Sequence, residues 1–440
     1  MGYKICVDGF GKIKHAEVET APLTFFVGDN NSGKSYLLSL LWALHSVDAA
    51  SCLFEGVAGL RTDSANKIRR MISDFIEHIQ NESCAVLELE VKDVINVINK
   101  LLENNKDNFI SSIFNSQEVK VDKVWVESEE TVITIKKVIK SHHIDIYCNN
   151  KRYGFVNRLL STNTKIIIQL LQIQILQAFL SGRVDNSIYL PAARTGFVLS
   201  KDIINKVVRQ EVFDSVKAYE RADNTLQPLT KPIIEFLNEI ESLSLDNDSK
   251  YENIVNWIES GMMHGNISYE EIGKKEIRYF PNGKDTSIPL RAASAIVTEL
   301  TPLLLLLKYR SYFNELCYEE PEMCFHPQLQ LRMGQLIVRM VNSGMNIIAT
   351  THSDIILQHI NNMCKLKEMG MPSEILEQFQ IDTIDGIDKD VIAVYQFTDE
   401  GNYSTVKRIP YTEEGFQIPT FQDALLSILE QTSQIQDYEA

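Results

Sequence analysis

Eight residues near the start of the chain, Gly28-Asp29-Asn30-Asn31-Ser32-Gly33-Lys34-Ser35, have the types and spacing of a phosphate cradle. Small, flexible positions let successive backbone N–H groups turn inward around phosphate oxygens at a helix N-terminus. Gly28 and Gly33 permit that path, Lys34 supplies a point charge to the β- and γ-phosphates, and the Ser35 hydroxyl suits Mg²⁺. Ligand contacts are expected over Gly28, Asn30, Asn31, Ser32, Gly33, Lys34, Ser35 and Tyr36.

Three downstream clusters complement the loop. Leu316-Cys317-Tyr318-Glu319-Glu320-Pro321-Glu322 puts paired carboxylates at the end of a short apolar run. Glu319 is placed in the metal shell and Glu320 beside the attacking water, although an isolated acidic turn before proline has the same composition. Asn346-Ile347-Ile348-Ala349-Thr350-Thr351-His352-Ser353 is an apolar run ending in a histidine, which can meet a γ-phosphate or the water, or simply end a strand. Pro289-Leu290-Arg291-Ala292-Ala293-Ser294-Ala295 is a small-residue loop before a helical pattern, where Ser294 on its own reads as ordinary helix capping.

These residues need strands and helices to position them. Tyr3 to Val7, Ile13 to Val18 and Leu23 to Val27 read as short strands, the last running into the loop, and Tyr36 to Leu44 is apolar all round, as in a buried helix. The expected fold class is therefore α/β: a P-loop fold with a mixed sheet flanked by helices, an α/β insertion and a helical lobe. Its divisions are residues 1–48 (first part of the head), 49–164 (mixed insertion), 165–200 (return to the head), 201–284 (mainly helical lobe), 285–400 (second part of the head) and 401–440 (extension). Within the insertion, a helix is expected at Ala65 to Ile79, and strands at Val86 to Val91, Val121 to Val126, Val132 to Ile139 and Ile144 to Cys148, with a turn at Asn149-Asn150-Lys151. A helix from Lys165 to Leu180 and a strand from Ser187 to Leu190 follow.

With 440 residues the chain can bury a large core and carry added lobes. Its net charge is −16, from 59 acidic and 43 basic residues, which argues against a surface built largely to hold nucleic acid. The seven cysteines form no C-x-x-C pair and read as reduced thiols, with Cys317 and Cys324 filling space. No leader pattern opens the sequence, and the most apolar run, Leu303 to Leu307, is far below the ~20 residues of a membrane span. A cytoplasmic location and no membrane contact are expected. Asp385, Asp388 and Asp390 read as a solvated turn.

The motifs G-D-N-N-S-G-K-S, E-E-P-E followed by F-H-P, and T-T-H-S together resemble those of ATP-binding-cassette ATPases related to SMC, RecF and the OLD nucleases. Within that group the sequence looks most like the compact AAA-type ATPases of bacterial anti-phage operons. The likeness covers roughly residues 1–48, 187–200 and 285–360. It implies ATP and Mg²⁺ as cofactors and slow hydrolysis, with Lys34, Glu320 and His352 catalytic, and Ser35 and Glu319 on the metal. It also implies that two copies sandwich ATP, with Ser294 reaching the partner's γ-phosphate and Phe325-His326-Pro327 lying at the dimer interface. Gln169 or Gln172 would be a metal-contacting glutamine or a plain surface residue. Arg194, in L-P-A-A-R-T-G, would touch ATP or form a structural ion pair. The implied function is a regulatory ATPase that oligomerises through ATP and controls a nuclease or toxin from a neighbouring gene in antiviral defence. The alternative is a repair ATPase that binds duplex DNA. The Ser294 loop lacks the paired glycines of transporter-type ATPases, and the first acid is Glu in place of Asp, which implies looser metal geometry.

Overall fold

Strands buried on both faces read as unbroken apolar runs, whereas strands with one wet face alternate. Both kinds occur here. In the computed structural model, the described residues are 3–81, 85–137, 143–148, 151–157, 164–181, 186–200, 229–244, 249–272, 274–310 and 313–439. The expected turn at Asn149-Asn150 and the 201–228 and 245–248 parts of the expected helical lobe lie outside them.

The chain opens with β1 (Lys4–Phe10), β2 (Ile13–Val18), β3 (Leu23–Gly28) and α1 (Lys34–His45). Next come α2 (Asp63–Asn81), β4 (Ala85–Glu90), α3 (Val91–Phe114), β5 (Lys123–Glu127), β6 (Val132–Lys137), β7 (His143–Cys148) and β8 (Lys151–Asn157). Then follow α4 (Thr164–Ser181), β9 (Ser187–Leu190), α5 (Lys231–Glu241), α6 (Glu252–Ile258), β10 (Gly265–Ile272), β11 (Lys274–Pro281) and β12 (Ile288–Pro289). The remainder is α7 (Ala295–Tyr309), β13 (Glu315–Glu319), α8 (Pro327–Asn342), β14 (Asn346–Thr350), α9 (Asp354–Glu368) and α10 (Ser373–Phe379), then β15 (Ile392–Asp399), β16 (Ser404–Ile409), β17 (Tyr411–Thr412), β18 (Gly415–Phe416) and α11 (Pro419–Glu439).

The chain forms two units. The first comprises Met1–Ala21, Asp29–Ser187 and Tyr395–Arg408, and the second Pro22–Gly28, Ile188–Val394 and Ile409–Ala440. In the first unit, β5, β1, β2 and β16 lie side by side, followed by the 395–399 half of β15. The first two pairings are antiparallel and β2 with β16 is parallel, so the sheet is mixed. A second, antiparallel sheet runs β4-β6-β7-β8. Helix α1 is buried on all sides, as its apolar run demands.

Helix α3 departs from the expectation for the insertion, which placed no element at Val91–Phe114. Val94, Val97, Ile98, Leu101 and Leu102 recur at helical spacing and are buried; the β-branched residues of V-I-N-V-I-N mask that period by their strand preference. Helix α4 has the length and apolar composition of a short membrane span, with half of it buried within the protein. Its glutamines break the apolar run without adding charge, and a helix packed into a protein core has the same length and composition.

The second unit places β3, β14, β13 and β9 side by side, with β3/β14 and β14/β13 parallel. One core runs through it, from Phe25 and Val27 of β3 across Leu300, Leu303 and Leu304 of α7 to Leu336 and Ile337 of α8 and Ile356 of α9. Within the region expected to be mainly helical, β10 and β11 instead form an antiparallel hairpin with Ile267↔Tyr279 and Tyr269↔Ile277 opposed. Alternating Ile and Tyr among charged residues gives that stretch a period of two. Asp385 is a further correction, because it is fully buried and paired with Arg339 Nε at 2.5 Å.

His359, on α9, contacts Gly334 of α8 and has a buried Nε2 with no hydrogen-bond partner. Burial pushes its pKa below the usual histidine value, with Asp385 opposing and Arg332 assisting. The unfolded chain therefore binds a proton near pH ~6.5 that the folded chain refuses, so acidification destabilises the fold between that pH and the lower folded value. His359→Leu is expected to flatten the dependence of Tm on pH over pH 5–7, measured by thermal melts at fixed ionic strength.

Candidate functional site

In the first unit the loop after β3 is organised by its own backbone. Gly33 has φ 98° and Asn31 φ 57°, left-handed conformations that glycine adopts freely and asparagine tolerates. A Cβ on Gly33 would come within 2.7 Å of Ile13 Cγ1, so glycine is needed for space as well. Gly33 caps α1 without a side-chain bond, so the loop runs straight into the N-terminus of a 12-residue helix. Such an end favours anions.

Asp29 is the hub, which sequence reasoning missed. Its N–H donates to Phe397 O at 3.1 Å, and its Oδ2 accepts from the Asp399 N–H at 2.8 Å. Its carbonyl accepts from Ser32 Oγ at 2.7 Å and Lys34 Nζ at 2.5 Å. The buried lysine is thereby held inside the loop, while Asn30, Asn31 and Ser35 are exposed. Tyr36 packs its ring against Phe114 at 4.8 Å and Phe10 at 5.7 Å, a packing role beside the ligand contact expected of it.

The second unit collects the acids at strand ends. Phe26, Thr350 and Glu319 stand in one row across the parallel strands β3, β14 and β13, with Gly28, Glu320 and His352 just beyond it. Gly28 has φ 113°, again glycine territory. Thr351 N–H donates to Phe26 O at 3.0 Å, tying the ends of β14 and β3 together. Ligand chemistry in open α/β sheets sits beyond the carboxyl ends of parallel strands.

Glu319 Oε2 accepts from the Ala192 N–H at 3.0 Å. Glu320 has φ 43°, and its N–H donates to Thr350 O at 2.9 Å. His352 Nε2 lies 4.0 Å from Glu320 Oε1, both side chains about one-third exposed, so the pair is weak and solvent-screened. The His352 N–H donates to Glu322 Oε1 at 2.6 Å. Burial pushes the Glu322 carboxyl above the ordinary range, and the His352 N–H and the Thr351 side chain draw it back.

Arg194 is fully buried, forms an ion pair with Glu299, and donates to Glu319 O at 2.8 Å and Glu320 O at 3.1 Å. Of its two readings, the ion pair is present in the structure. Ser294 is the N-cap of α7 and is exposed; its hydroxyl makes no capping bond, so that alternative is not what the side chain does. His326 and Pro327 are exposed, and Phe325 is buried in the core. Gln169 is exposed on α4, whereas Gln172 is fully buried and is no surface residue. Cys317 is buried as expected; Cys324 is exposed. Among the described residues no group of three or more His, Cys, Asp or Glu side chains is arranged to hold a metal ion. The loop's N–H groups, Lys34 and the exposed Ser35 hydroxyl nonetheless fit a nucleotide whose phosphates complete the shell of Mg²⁺.

A family model described as AAA ATPase domain matches residues 3–357. No curated protein matches the chain. Among solved structures it is similar to an SMC head bound to the C-winged helix domain of ScpA, at 16% identity over 92% of this chain and 96% of that one, TM-score 0.38. It is also similar to an Smc head domain with an extended coiled coil bound to the C-terminal domain of ScpA derived from Pyrococcus furiosus, at 15% identity over 98% of each chain, TM-score 0.35. A third is the SMC head domain from Thermotoga maritima, at 12% identity over 93% of this chain and 100% of that one, TM-score 0.34.

Proposed function

The chain belongs to the AAA ATPase domain family, and from that premise we propose that it is a slow regulatory ATPase in which bound ATP joins copies of the chain and its hydrolysis releases them. It binds nucleotide and hydrolyses ATP. The observation that carries the finer reading is the row of parallel strand ends, which gathers Glu319, Glu320 and His352 beyond β13 and β14 beside the strand that leads into the loop.

The proposed division of labour follows from chemistry. The loop's N–H groups and Lys34 hold the phosphates, with Gly28, Asn30, Asn31, Ser32, Gly33 and Tyr36 shaping the loop. Ser35 and Glu319 would hold Mg²⁺. The metal, when bound, neutralises charge developing on the transferred phosphoryl group. Glu320 accepts a hydrogen bond from the attacking water and orients it. His352 meets the γ-phosphate or that water. Ser294 reaches the γ-phosphate held by a second copy; its exposed hydroxyl at the start of a 15-residue helix supports this. Arg194 supports the acids from beneath.

The partner is proposed to be an effector, a nuclease or toxin from a neighbouring gene, in bacterial antiviral defence. The net charge of −16 favours a protein partner over duplex DNA. Ile428, Leu429 and Ile435 on α11 are each more than half exposed, apolar surface of the kind partners cover. The described cysteines are free thiols, which supports a cytoplasmic location. Purified protein supplied with ATP, Mg²⁺ and duplex DNA is expected to turn over ATP below the ~10 s⁻¹ typical of enzymes and to leave the DNA intact. DNA cleavage by the chain alone would show that the effector is not separate.

A further inference from the structure

The segment Pro191–Thr195, which follows β9, touches both acids. Ala192 gives its N–H to the Glu319 carboxylate at 3.0 Å, and Arg194 gives one guanidinium nitrogen to Glu319 O and the other to Glu320 O. The guanidinium also donates to Pro191 O at 3.2 Å, lies 4.8 Å over the Tyr318 ring and pairs with Glu299, whose other oxygen accepts from Thr195 Oγ1 at 2.5 Å. Glu320 meanwhile has a left-handed backbone at φ 43°, unfavourable for a residue with a Cβ and sustained only where surroundings over-determine it. Its N–H is fixed by Thr350 O on one side and its C=O by Arg194 on the other.

We infer that Pro191–Thr195 is a backbone clamp that holds Glu320 in its left-handed conformation and Glu319 by its carboxylate, with Arg194 as the positioning residue and Glu299 as its link to α7. The inference rests on reading Glu320 as the acid that orients water. A planar fork is required because it must serve a carboxylate and two successive carbonyls at once, which a lysine ammonium cannot match in direction. A buried ion pair is seldom kept for stability alone, since apolar replacements of similar volume do as well. Here it fixes the direction of the guanidinium. Glu299 stands about one helical turn into the helix that Ser294 caps, so a displacement of α7 reaches the Glu320 backbone through two side chains, Glu299 and Arg194.

The test combines turnover with a stability cycle on the full chain. Arg194→Lys is expected to lower kcat by about 10- to 100-fold, as a small misplacement of a reacting group does, with KM for ATP and binding of a fluorescent ATP analogue changed less than about twofold. Glu299→Gln should lower kcat in the same way but less. The drop in Tm caused by Arg194→Lys should shrink in a Glu320→Gly background, because glycine holds a positive φ without restraint. An equal drop in both backgrounds overturns the clamp, as does a loss of ATP binding in step with kcat. Retained kcat with the stability coupling intact leaves the clamp standing and overturns the catalytic assignment of Glu320. If Arg194→Lys fails to fold, Glu299→Gln carries the same three measurements.

Discussion

Glu320→Gln is expected to lower ATP turnover by about 10²- to 10⁴-fold, the span associated with losing a positioned general base, while ATP stays bound. The substitution is nearly isosteric, and the bonds that hold this residue are to its backbone: its N–H to Thr350 and its C=O from Arg194. Both survive. The side-chain contact to His352 is long and solvent-screened, so its loss should cost little stability. What disappears is the negative charge that draws on the attacking water. With hydrolysis blocked and binding retained, ATP remains where Ser294 of another copy would meet its γ-phosphate, and the assembly should persist. Size-exclusion chromatography with light scattering, with and without ATP and Mg²⁺, reads this directly: wild type should form a transient larger species and Glu320→Gln a lasting one. An elution profile indifferent to ATP in both proteins would sink the sandwich. Undiminished turnover would remove Glu320 from the chemistry.

How much of this was legible beforehand depended on whether a residue's partners have a sequence signature. The loop and the strand ends did. Gly28 and Gly33 are required by positive φ, and β3, β13 and β14 are runs buried on both faces, so composition and period agree with the structure. The segment around Arg194 could be noticed, but its role could not be read, because its principal acceptors are main-chain carbonyls far along the chain and a carbonyl belongs to every residue type alike. Asp29 was hidden for the same reason: its N–H and carbonyl do as much as its carboxylate. Asp385 looked solvated because three aspartates lie close together in sequence, whereas its stabilising cation, Arg339, comes from α8. Gln172 was open between a metal contact and a surface position, but the helical spacing of Ile167, Leu171 and Ile175 puts it on the buried side of α4. Local chemistry was readable; long-range bonds to the backbone were not.

Lys34→Ala is expected to weaken ATP binding by about 10- to 100-fold, the worth of a charge-assisted hydrogen bond, and to lower turnover by about 10³-fold, because the charge also offsets what develops in the transition state. The fold should withstand it. The ammonium's bond to Asp29 O is one of two that this carbonyl accepts, and Ser32 Oγ keeps the other. The loop's anchorage through the Asp29 N–H and Oδ2 to the β15 segment is untouched, as are the left-handed turns at Asn31 and Gly33. Lys34→Arg should fail too: the side chain is buried, and a longer planar group cannot reproduce a compact point charge there. Titration with a fluorescent ATP analogue, beside circular dichroism and melting curves, separates the outcomes. Wild-type affinity in Lys34→Ala with native dichroism would mean that the backbone N–H groups alone hold the nucleotide. Joint loss of binding and dichroism would mean that Lys34 supports the loop's structure through Asp29. A loss of binding and turnover with native dichroism assigns the charge to the phosphates, and it should be accompanied by loss of the ATP-dependent species that Glu320→Gln prolongs, since an assembly joined by nucleotide cannot outlast the loop's grip on it.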